Sequence, residues 1–154
     1  MVADNLLLER QLCVALHRAT RAVLACYRPG LAALGLTYSQ YMVMLVLWQQ
    51  GETTQRQLVA LLGLDSGTLS PVLKRLEQRG LVRRTRQHDD ERVLGVSLTE
   101  AGHQLSEQAA SVQRSVEEAT GLTQVALARL RRQLDLVATR CWTASDNLGA
   151  PDPA

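Results

Sequence analysis

Cys13 stands in the stretch RQLCVALHRATRAVLACY, with His17 four residues beyond it and Tyr27 fourteen beyond. A thiol one helical turn from an imidazole can do chemistry. The thiolate is the nucleophile, and a protonated imidazole favours it over the thiol. A neutral imidazole can still accept or donate a hydrogen bond. The same cysteine could equally be a small apolar residue that fills a core. The stretch alone supports either reading.

The other cysteines do not settle it. Cys26 falls on a different side of such a helix from Cys13, which suits packing better than chemistry, and Cys141 lies near the far end of the chain. The three form no C-x-x-C pair, no disulfide framework and no Cys/His cluster with zinc spacing, so no metal and no cofactor is expected. The acidic run Asp89–Glu91 sits on a turn tip and makes no acid/base dyad. Three free thiols suit a reducing compartment. The first residues lack the basic segment and apolar core of a secretory signal. The longest apolar run, MVMLVLW, falls far short of the ~20 residues that span a bilayer. A cytoplasmic protein with no membrane partner is the expectation.

With 154 residues, 46% of them apolar and none of them Phe, the chain fits one domain or two very small ones, mostly helical. Net charge is only +2, but it is unevenly spread. Between Arg56 and Arg86 stand seven basic residues and two acidic ones, leaving +5 there against −3 elsewhere. A basic middle points to a polyanion partner, or to a merely solvated basic face.

Apolar spacing predicts a first helix over about 5–26, stopped by Pro29 and Gly30, then a short helical turn to Gly35. Thr37 with Gln40, and Thr54 with Gln57, read as capping boxes for two further helices that stop at Gly51 and Gly63. The first of these is apolar nearly all round and is expected at the centre; the second shows Leu58, Leu61 and Leu62 to the core. A fourth helix ends at Gly80. Pro71 sits best in a first turn, which argues for a start near Ser70. LVRRTRQ and RVLGVSLT flank a charged turn as a β-hairpin. Thr99 caps a helix to about Glu118, a last amphipathic helix follows Thr123, and residues 146–154 read as a frayed tail.

Two short helices and a basic hairpin make a winged helix-turn-helix. The second helix would expose Ser66, Thr68, Ser70, Lys74 and Arg75 to a major groove, while Leu69, Val72, Leu73 and Leu76 hold its other side. The hairpin would carry Arg83, Arg84, Arg86 and Arg92 to phosphates or a narrow minor groove. Asp90 more naturally orients Arg92 than meets a phosphate.

The wing segment GLVRRTRQHDDERVLGVSLTEAG resembles that of the MarR family of bacterial repressors: a basic strand, D-x-R (Asp90, Arg92), then V-x-L-T-x-x-G (Val96, Leu98, Thr99, Gly102). The strings LCVALHRA, LGLTYSQYMVMLVLW and LLGLDSGTLSPVLKRLEQRGLVRR are similar to the organic-hydroperoxide-sensing (OhrR) branch. The resemblance covers about residues 5–140. It implies that Cys13 senses the peroxide and that Tyr27 and Tyr38 hydrogen-bond its sulfur. It implies that Arg92 enters the minor groove, and that the recognition helix begins near Ser66. It also implies a homodimer built by the first and last helices. Many members of that branch place a tyrosine where this chain has His17. Some carry a resolving cysteine near the end of the helix after the wing, where this chain reads RSVEEATG; Cys141, further on, is then the candidate resolving thiol.

The expected protein is a mostly α winged-helix regulator and not an enzyme. Residues 1–35 and 100–145 would form its dimerisation region and 36–99 its DNA-binding region. It would bind double-stranded DNA at a pseudo-palindromic operator and leave it when an organic hydroperoxide oxidises Cys13. The alternatives are a MarR-type repressor released by a phenolic or aromatic ligand, a thiol peroxidase, and a protein-interaction winged helix.

Overall fold

The computed structural model describes the backbone of residues 4–87 and 90–147, and the side chains of 5–85 and 94–145. The chain divides into two units after Val116. The first unit opens with two 3-10 turns, Asp4–Leu6 and Leu8–Arg10, so the first helix starts later than its apolar spacing suggests. Gln11 is extended, and its side-chain amide donates to the Asn5 carbonyl at 2.6 Å.

Helix α1 (Leu12–Ala33) then runs straight through the predicted stop. Pro29 removes one helical N–H, but it is exposed, as is Ala25, so solvent can satisfy the Ala25 carbonyl left without that donor. Gly30 serves packing instead: a Cβ there would lie 2.7 Å from the Val112 side chain. The real stop is Gly35 at φ 65, where Gly35 N–H bonds the Ala32 carbonyl and Leu36 N–H the Leu31 carbonyl.

Helix α2 (Tyr38–Gln50) is capped by the predicted Thr37–Gln40 box and buries Tyr41, Val43, Met44 and Leu47. These residues share one broad face, while Leu45 on the other side is exposed, so α2 is less enclosed than its nearly all-round apolar sequence suggests. Helix α3 (Gln55–Leu62) has the predicted Thr54–Gln57 box and a left-handed stop at Gly63. Only Leu58 of its three leucines is fully buried; Leu61 is exposed.

Helix α4 (Ser66–Gln78) starts four residues before the position favoured by Pro71. A proline inside a helix costs about 3 kcal/mol. Leu69, Leu73 and Leu76 are each fully buried on the opposite side, and each stabilises by about 1.5–3 kcal/mol. Packing therefore wins, and the early start is what brings Leu69 into line.

The sheet has three strands rather than two, in the order β1 (Thr53–Thr54), β3 (Asp90–Leu98), β2 (Val82–Gln87), all antiparallel. A two-residue strand carries no apolar alternation, so nothing in the sequence marked β1. Val82 pairs with Leu98 and Arg84 with Val96, and the pairing slips between Arg86 and Gln87. Helix α5 (Glu100–Ala119) follows Thr99, whose hydroxyl accepts from Gly102 N–H at 3.1 Å. It packs Ala109 and Val116 into the core, and its last residues open the second unit.

The second unit turns at Gly121 (φ 66) into α6 (Gln124–Asn147). Glu117 accepts from Gln124 at 2.8 Å and pairs with Arg131 at 3.7 Å across that turn. The helix runs two residues into the predicted tail; residues 148–154 lie outside the described ones. No single helix among the described residues is long and apolar enough to cross a membrane.

Candidate functional site

A thirteen-residue helix is marginal alone, so α4 owes its place to the three leucines and to its cap. Asp65 accepts from Thr68 N–H at 2.7 Å and from the Thr68 hydroxyl at 2.5 Å. Those bonds hold the Asp65 carboxyl below its ordinary value, the hydroxyl foremost. Thr68, expected to read DNA, is thus engaged as a donor in the cap. Ser66, Ser70, Lys74 and Arg75 are all exposed.

The wing is fastened to the end of α4. Glu77 receives Arg84 Nε at 2.7 Å, with a second guanidinium nitrogen at 2.5 Å, and Arg84 backbone N–H at 3.2 Å. Arg84 therefore fastens the base of the hairpin to the end of α4. Arg83, its neighbour on the other side of the strand, is exposed. Arg86, Asp90 and Arg92 lie outside the residues with described side chains, and His88 lies outside the described residues altogether.

Arg84 also lowers the Glu77 carboxyl, first through its side-chain hydrogen bond. A carboxylate depressed on folding stabilises above its ordinary value, near 4.5, and that contribution fades as pH falls through the lower folded value. The pair is partly exposed, so the effect is modest. Urea unfolding of wild type and Glu77→Gln should show wild type ahead at pH 7 and the gap narrowing towards pH 3. A gap that stays constant over that range would remove Glu77 ionisation from the wing attachment.

On α1, Cys13 is exposed and His17, also exposed, lies one turn further along. Tyr27 is buried, and its ring lies 5.5 Å from Tyr38 and 5.4 Å from Tyr41, so all three tyrosines of the chain cluster. The Tyr27 hydroxyl donates to Gln113 Oε1, which also accepts from Tyr41 at 3.2 Å. Tyr27 and the part-exposed Tyr38 line an apolar cleft of about 370 Å³ with Leu24, Leu31 and Leu36. Cys13 does not line it. Fourteen residues of one helix separate Cys13 from Tyr27 by about 21 Å along the axis, so the two cannot bond within one chain. Cys26 and Cys141 are exposed too, the latter on α6.

Three polar residues were missed. Glu77 and Arg79 meet partners through the fold, and nothing near them in sequence marks it. Arg79 donates to the carbonyls of Gly35 and of Leu34, the latter at 3.2 Å. Gln113 did leave a signal: it interrupts the apolar stripe Leu105, Ala109, Val112, Val116. Among the described residues no group of three or more His, Cys, Asp or Glu could hold a metal ion.

Comparison with known proteins agrees with this geometry. The family model described as MarR family matches residues 36–94. The organic hydroperoxide resistance transcriptional regulator of Bacillus subtilis is 44% identical over 109 residues, 71% of this chain and 74% of that protein. AbfR of Staphylococcus epidermidis, in a structure of its reduced form bound to DNA, superposes with a TM-score of 0.71 at 35% identity, covering 87% of this chain and 93% of that one. Overoxidised AbfR bound to DNA gives 0.71 at 34% identity, over 87% and 94%.

Proposed function

The chain belongs to the MarR family and is a transcriptional regulator, and we propose that it is a homodimeric repressor released from DNA when an organic hydroperoxide oxidises Cys13. The observation that carries this reading is the pairing of an exposed thiol with a two-tyrosine apolar cleft that it cannot reach in its own chain. A second copy supplies the missing half. Apolar side chains lie uncovered on α1 (Leu12, Val23) and on α6 (Leu130, Leu134, Trp142), which suits helices that pair across a dimer. On this reading α1 and the last two helices form the dimer and residues 36–99 meet DNA.

The Cys13 thiolate attacks the peroxide O–O bond. Sulfur is oxidised to the sulfenic acid, and the peroxide leaves as the alcohol after taking a proton. Tyr27 and Tyr38 of one copy would steady the sulfur of the other, with His17 beside it. An apolar cleft suits an organic peroxide better than hydrogen peroxide. The B. subtilis relative is a regulator of organic hydroperoxide resistance, and AbfR has been seen in reduced, overoxidised and disulfide forms; both support a redox reading. Cys141 is the candidate to resolve the sulfenic acid.

In the reduced dimer, α4 would enter the major groove through Ser66, Ser70, Lys74 and Arg75. Arg86 and Arg92 of the wing, the latter oriented by Asp90, would follow the flanking minor groove. Fluorescence anisotropy with a duplex from upstream of its own gene tests both halves. Binding should weaken steeply with salt, and Lys74→Ala or Arg75→Ala should lower the slope by about 1 for each phosphate no longer neutralised. Cumene hydroperoxide should release the protein. A flat salt response would remove DNA as the partner; undiminished binding after Cys13 is oxidised would remove the redox trigger. The same cleft supports a second reading, release by a reversibly bound aromatic ligand, in which Cys13 is dispensable.

A further inference from the structure

We propose that Arg79 is the link through which a change at the thiol-bearing helix reaches the DNA-reading elements. The proposal rests on the redox reading above and names the residue that conveys its signal. Arg79 closes α4, and its guanidinium donates to the carbonyls of Leu34 and Gly35, which close α1. Carbonyls at a helix end have no partner inside the helix, so an outside donor finds them free to accept. The guanidinium fork meets two neighbouring acceptors at once and fixes direction as well as distance.

The corner is shaped for it. Gly35 is at φ 65, and a Cβ there would stand 2.8 Å from an Arg79 guanidinium nitrogen. The same corner forms a wall of the tyrosine cleft, since Leu31, Leu36 and Tyr38 flank the two carbonyls. Two residues before Arg79, Glu77 grips Arg84 of the wing. The end of α4 thus holds the wing on one side and the cleft corner on the other. A shift at the corner moves helix and wing together, as one body. Arg79 is exposed and basic, so its competing role is to bind a phosphate.

The two roles separate in one set of measurements on the full-length protein, with anisotropy on the same duplex and mass-spectrometric detection of Cys13 sulfenic acid. Reduced Arg79→Met should bind within about three-fold of wild type with an unchanged salt slope. Its Cys13 should oxidise at the wild-type rate. Its release by cumene hydroperoxide should fall from about a hundred-fold or more to under about ten-fold. Arg79→Lys, which can reach one carbonyl but not present a fork, should fall between, and guards against a folding defect in the methionine variant. Full release of Arg79→Met would overturn the proposal, as would a reduced-state drop in affinity with a lower salt slope, which marks a bound phosphate. Wild type that stays bound after Cys13 has been oxidised would instead sink the redox reading, and the link with it, before any variant is compared.

Discussion

Cys13→Ser is expected to stay on its DNA at a cumene hydroperoxide concentration that lowers wild-type affinity more than a hundred-fold. A hundred-fold loss corresponds to about 3 kcal/mol of difference between two dimer states. A serine hydroxyl is not a nucleophile at neutral pH without a base, so the variant has no route to the oxidised state and its affinity should change by less than about two-fold. Its reduced-state affinity should match wild type, because Cys13 lies on α1 and outside α4 and the wing. Peroxide release of Cys13→Ser equal to that of wild type would end the assignment. The distance of about 21 Å along α1 sharpens the test. In mixed dimers of Cys13→Ser with Tyr27→Phe, a pocket shared between copies leaves one intact thiol facing one intact phenol. That remaining thiol should oxidise at the wild-type rate, whereas in Tyr27→Phe homodimers it should be slow. Equal rates in the two would place the phenol elsewhere.

What was legible in the sequence is what local chemistry dictates. Thr37–Gln40 and Thr54–Gln57 form their boxes because each needs only three residues of spacing. The buried stripe of α4, Leu69, Leu73 and Leu76, follows from the helical period alone. Resemblance to a family was needed to place the start of α4, because Pro71 is a local signal overruled by tertiary burial of Leu69. The same conflict misplaced the end of α1: Pro29 and Gly30 read locally as a stop, while Gly30 is small to admit Val112 from a helix eighty residues later. At the candidate site, Cys13, Tyr27 and Tyr38 could be picked out by resemblance, but not that one chain keeps them apart. Arg79 and Arg84 show the limit most plainly. Arg79 was counted only as basic charge and Arg84 as a contact to phosphate or minor groove, and both are held by acceptors that only the fold brings near.

Gly102→Ala should destabilise the protein by about 2 kcal/mol or more, although helix propensity alone favours alanine by about 1 kcal/mol. A Cβ at Gly102 would stand 2.1 Å from the Leu81 carbonyl oxygen, a separation that atoms do not adopt. Neither side can yield freely. The Leu81 carbonyl accepts from Thr99 N–H at 3.1 Å and its side chain is buried. On the other side, the Gly102 carbonyl accepts from Trp48 Nε1 at 2.9 Å, and Gly102 N–H bonds the Thr99 hydroxyl, which itself donates to the Gly80 carbonyl. Relief of the clash must stretch one of these bonds or unseat α5, and overpacking against fixed backbone lies at or beyond the upper end of the usual 1–3 kcal/mol. Urea unfolding followed by tryptophan fluorescence, at one fixed protein concentration because dimerisation contributes to stability, reads the effect. Gly67→Ala is the control: that glycine is helical, and the added Cβ would meet only the Asp65 side chain at 3.0 Å, so its cost should be far smaller. If Gly102→Ala unfolded at or above the wild-type midpoint, the packing of α5 on the segment joining α4 to β2 would not be the tight one described. Because that segment leads directly into the wing, the variant should also bind DNA more weakly while its Cys13 still oxidises at the wild-type rate. That combination separates a displaced wing from a damaged thiol site.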